Sequence, residues 1–139
     1  MLNQVHDHIV SELNQSSRTD TIFVVTAIAF NLIVLGINSG VADAASGRSG
    51  DTVNDIVLIV FIIMTLLINA IAISALNLGK RTRQMLLDGL VKMYSDNDVE
   101  KYYSPSLMSN YNARYLLFSG VIGTLALTAI AVPLIIRFL

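Results

Sequence analysis

The chain has 139 residues, 54% of them hydrophobic and only 14% charged, against roughly 25% charged in an ordinary soluble domain. Nine Lys and Arg stand against ten Asp and Glu, so there is no basic excess of the kind that binds nucleic acid. The absence of Cys excludes disulfides, thiolate metal sites and Cys nucleophiles.

The first twenty residues read as an amphipathic helix. Leu2, Val5, Ile9 and Leu13 recur at spacings of three, four and four, with Asn3, Gln4, Asp7, Ser11 and Glu12 elsewhere. The polar side is acidic, so docking against another helix is the expected role, not attraction to anionic lipid. His6 and His8 are two apart and would point to different helical faces, which argues against a shared metal ion.

The first apolar run, Thr21 to Ile37, is 17 residues long and free of charge. A helix needs roughly 20 residues to cross a hydrocarbon core about 30 Å thick, so this span must borrow Asn38 to Val41 or sit where the bilayer is thin. We place the first transmembrane helix at 21–41. Asp7, Glu12 and Asp20 outnumber Arg18 ahead of it, which is the wrong charge for a cleaved secretory leader. Residues 42–55, rich in Gly, Ser, Ala and Asp, read as an outer loop.

The second run, 56–78, and the third, 115–139, reach spanning length, with Arg137 at the far end of the third. No run alternates with period two, so a β-barrel is disfavoured. Between them, residues 79–114 form a cytoplasmic helix and a Tyr-rich loop. Leu86, Leu87, Leu90, Val91 and Tyr94 make an apolar stripe that continues the second span as one emerging helix. Ser104-Pro105-Ser106 should break any helix before the third span. Asp96, Asn97, Asp98 and Glu100 start like a calcium loop, but Lys101 and Leu107 stand where Gly and Glu are needed.

The expected fold is therefore an all-α integral membrane protein, with one membrane domain over 1–139. It has three transmembrane helices, an N-terminal amphipathic helix and a cytoplasmic helical extension of the second span. Arg18, Lys80, Arg81, Arg83, Lys92, Lys101 and Arg114 fall on one side, and only Arg48 and Arg137 on the other. That bias puts the N-terminus in the cytoplasm and the C-terminus outside, in a plasma (inner) membrane.

Four polar residues inside the spans bear on function. Asn31, Asn69 and Thr124 lie at similar depth, and Thr65 is one turn from Asn69. They are candidates for pore-lining groups or for hydrogen bonds that join helices. Lys80, Arg81 and Arg83, with Tyr102, Tyr103 and Tyr111, are candidates for lipid-headgroup contact or docking. Gly36–Gly40, Ala75–Gly79 and Ser119–Gly123 have the small-residue spacing that lets helices approach closely.

No phosphate loop, nucleophile set or zinc motif is present, so no enzyme activity and no cofactor are expected. Partners are the bilayer and either further copies or another membrane subunit. The expected function is a self-assembling membrane protein, in the form of a homo-oligomeric channel or pore-like assembly. The alternative is an accessory or scaffold subunit docking through the cytoplasmic helix and Tyr-rich loop.

Overall fold

The computed structural model describes residues 1–47, 51–98 and 107–139, and the chain is helical almost throughout. Helix α1 runs Leu2–Ala45, α2 Thr52–Asp96 and α3 Leu107–Phe138. All three are long and apolar enough to cross a membrane. Each packs on the other two. The Ser104-Pro105-Ser106 break, Tyr102, Tyr103 and part of the acidic stretch before them lie outside the described residues.

The expected N-terminal helix and first span are one element. Nothing between Leu2 and Ala45 interrupts it, since there is no Pro and the first Gly is Gly36. Gly36 and Gly40 lie within it without ending it. The helix takes in Asn38 to Val41 and continues to Ala45. Gly47, with φ +74°, makes the turn that follows. Asp51 then caps α2 by accepting from the Asn54 amide N–H at 3.4 Å.

Helix α2 carries the second span and its extension without a break. At about 1.5 Å per residue, helices of 44 and 45 residues are roughly 66 Å long, about twice the hydrocarbon thickness. The surplus of both lies on the side of the N-terminus. His6 hydrogen-bonds Tyr94 there at 3.1 Å, so the two extensions form an antiparallel pair. Helix α3 runs parallel to α1, with Tyr115 beside Asp20, and antiparallel to α2, with Gln84 donating to Asn112 at 2.9 Å and Arg137 beside Asp55.

Burial follows a heptad-like rhythm. On α1 the buried residues are Asp20, Val24, Ala27, Asn31, Val34, Asn38, Ala42 and Ala45. On α2 they are Leu58, Thr65, Asn69, Ala72, Leu76, Arg83, Leu87 and Leu90, and on α3 Tyr115, Ile122, Ala129 and Pro133. Steps of three, four and seven keep one seam of each helix facing the other two, as in a coiled coil. The apolar centre is Val24, Ala27, Ala72, Leu76, Tyr115 and Ile122. Outside it, Leu32, Ile33, Leu66, Leu67 and Leu127 are exposed, the outward-facing apolar surface expected where lipid is the solvent.

Candidate functional site

The seam that holds the bundle together carries six polar residues: Asp20, Asn31, Asn38, Thr65, Asn69 and Arg83. They fall into three levels along the axis, which differ in how far their hydrogen bonding is satisfied.

At mid-height, Asn31 and Asn69 form a reciprocal amide pair. Each Nδ2 donates to the other's Oδ1 at 2.8 Å. Asn69 also donates to the Thr65 carbonyl at 2.7 Å, and the Thr65 hydroxyl donates to the Phe61 carbonyl at 2.7 Å. Asn31 and Asn69 face each other because both lie on the buried phase of antiparallel neighbours. Each of the two amides finds its partner within one bundle. Thr124 does not join them. It is exposed and its hydroxyl donates to its own helix at the Gly120 carbonyl. Depth along the chain placed it near the pair, but it sits two residues after the buried Ile122, and a step of two turns a side chain about 200° around the axis.

Toward the N-terminal side, the level is charged. The buried Asp20 accepts a hydrogen bond from the Tyr115 hydroxyl through Oδ2, and its other oxygen lies against Gly79, where any Cβ would run into it. Gly79, read from its spacing as a surface for association, serves a close approach inside the chain. Arg83 lies beyond, 6% exposed. Its Nη2 donates to the Leu13 carbonyl at 3.2 Å, and its Cζ sits 4.9 Å from the centre of the Tyr111 ring and 6.0 Å from that of Tyr115. The basic turn is therefore split. Arg81 is exposed and Lys80 half-buried, while Arg83, seven residues after Leu76, is turned into the bundle.

At the opposite end, Asn38 is fully buried and neither of its amide atoms has a partner. Pro133, also fully buried, is at the same height by the offset that pairs Asp20 with Tyr115. Its missing N–H leaves the carbonyl four residues back without a helical donor. The end of the bundle is clasped by Arg137, whose Nε and Nη2 donate to the two Asp55 oxygens at 2.6 and 3.1 Å. Asp55 precedes the apolar run of α2, and this hydrogen-bonded guanidinium holds its carboxyl below the ordinary carboxylate range.

Sequence reasoning passed over Asp20, Asn38 and the Asp55–Arg137 clasp. A signal existed for two of them: Asn38 is seven residues after Asn31 and Asp20 eleven before it, the same helical phase. His6 lies against Tyr94, whereas His8 is exposed. The arrangement fixes helix register and closes the axis of a single bundle; the mid-height pair offers neither a charge nor a titrating group. No protein-family model, curated protein or solved structure matches this chain.

Proposed function

We propose that this chain is an integral membrane protein that works by lateral self-assembly, with no catalytic step of its own. In this reading residues 21–41, 56–78 and 115–139 span an inner membrane, and the paired extensions of α1 and α2 stand in the cytoplasm on the side rich in Lys and Arg. The observation that carries it is the outward face of α1 near Gly36 and Gly40. Both are exposed, and a Cβ at either would meet nothing of this chain. The bundle has no internal need for glycine there, whereas a second helix approaching backbone to backbone does. Because the Asn31–Asn69 pair fills the middle of each bundle, a conducting path in such an assembly runs between bundles, not through one.

The native mass of the purified particle in lipid nanodiscs tests this directly. Wild type should be an integral multiple of the chain, and Gly36→Leu with Gly40→Leu should reduce it to a single copy. A wild-type particle of one chain overturns the proposal. Ion flux in liposomes then separates a conducting assembly from a purely structural one.

A second reading, an accessory subunit, draws on the extensions themselves. They reach about 28 Å beyond the apolar runs, at 1.5 Å per residue, and carry Leu2, Val5 and Met85 exposed at 49%, 44% and 68%. A different chain held at fixed stoichiometry, and released when Leu2, Val5 and Met85 are changed to Ser, would favour it.

A further inference from the structure

A narrow cleft lies between α1 and α3 where the apolar run of each begins. Ser17 and Thr21 line it from α1, Tyr111, Arg114 and Phe118 from α3, and Arg83 reaches it from α2. The Asp20–Tyr115 pair completes the wall. Two arginines therefore share a small space with one carboxylate, and that carboxylate is already engaged by the Tyr115 hydroxyl.

Neither guanidinium is in an ion pair. Among the described residues the ion pairs are His6–Asp7 and Arg137–Asp55, and neither involves Arg83 or Arg114. Arg83 is nine-tenths buried, and its Nε–H has no acceptor. Its other contacts, the Leu13 carbonyl and the Tyr111 face, are uncharged. Two guanidiniums against one carboxylate leave a positive excess partly out of water, and a guanidinium fork suits phosphate oxygens in particular. Arg114 is exposed, with its Cζ 5.8 Å from the Phe118 ring centre, so it stands at the mouth of the cleft while Arg83 lies deeper.

The position selects the kind of anion. One turn further along the same sides of the cleft come Val25 and Ile28 on α1 and Val121 and Leu125 on α3, all apolar. A ligand with its charge at the mouth of the cleft would have hydrocarbon against these residues. We propose that the mouth of the cleft binds one anionic phospholipid, its phosphodiester against Arg114 on the side of Arg83 and its acyl chains along α1 and α3. Basic pockets between spanning helices on the cytoplasmic side recognise headgroups in this way. The inference rests on the three spans lying in a bilayer, but not on self-assembly.

Native mass spectrometry of the full-length, delipidated protein, titrated with phosphatidylglycerol or phosphatidylcholine of identical chains, tests it. Phosphatidylglycerol should bind at least about fivefold more tightly, the value of one basic residue at an anionic surface. Arg114→Gln, a change at an exposed position, should remove that preference. Arg18→Gln, an exposed cation at similar height that does not line the cleft, should keep it. Equal affinity for the two lipids, an equal loss in both variants, or displacement by excess inorganic phosphate would each overturn the proposal. The same spectra report the number of chains per particle, so lipid preference and self-assembly succeed or fail separately.

Discussion

Two asparagines of the buried seam, Asn69 on α2 and Asn38 on α1, stand in opposite energetic positions. Asn69 is satisfied, because its amide exchanges two 2.8 Å hydrogen bonds with Asn31. Asn38 is 0% exposed and has no partner for either atom. Hydrogen bonds between helices in lipid contribute roughly 0.6 kcal/mol each, up to about 1.7, and an orphaned buried amide costs about 1–3 kcal/mol. Asn69→Leu should therefore lower stability by about 1–3 kcal/mol, since it also strands Asn31. Asn31→Leu combined with Asn69→Leu should recover part of that loss. Asn38→Leu should instead raise stability by about 1 kcal/mol. Unfolding in mixed micelles reads all four proteins, and a loss at Asn38 as large as that at Asn69 would contradict this account. The Asp55 carboxylate gives a pH prediction. Its folded pKa is depressed by Arg137, so its contribution is full above the unfolded value of about 3.9 and is lost as pH falls through the folded one. Below about pH 4 amide exchange near Asp55 should therefore accelerate in wild type but show no such step in Asp55→Asn.

The elements are defined by what each seam buries more than by local propensity. Leu76 and Leu78 are two residues apart in the same apolar run, yet their exposures are 1% and 66%. Leu76→Ala should cost about 2–5 kcal/mol as a cavity inside the bundle, and Leu78→Ala almost nothing, because an exposed side chain leaves no cavity behind. Comparable losses at both positions would mean that α2 is rotated from the orientation described here. The same phase explains why Arg83 leaves the surface while Arg81 stays on it. An emerging helix keeps its rotation as it passes from apolar to polar sequence, so the residue seven beyond Leu76 is buried whatever its charge. Gly79 accommodates the Asp20 carboxylate on this seam for the same reason.

For the molecule as a whole, the three helices close on themselves at one end through Arg137 and Asp55, and project at the other as the α1–α2 pair. Helix direction alternates, so the N-terminus and the end of α2 share a side, which the proposed topology puts in the cytoplasm. The absence of Cys allows a clean test. Ser46 and Ser95 are both exposed, near opposite ends of the bundle. In intact cells an impermeant thiol reagent should label Ser46→Cys, and should label Ser95→Cys only after permeabilisation. The reverse pattern would invert the proposed orientation.

Hydropathy along the chain was enough to locate three apolar runs, their order and the alternation of direction, because those depend only on length and transfer free energy. It also marked Asn31, Asn69 and Thr65 as polar groups needing partners, and the stripe from Leu86 to Tyr94 as a continuation of α2. It left open which amide meets which, whether Thr124 belongs beside them, and that Arg83, Asp20 and Gly79 meet at one level. Depth is a one-dimensional quantity, additive in residues. Rotation about each helix axis is settled only when three helices choose a common seam, and that choice pairs Asn31 with Asn69, turns Thr124 outward and leaves Asn38 without a partner.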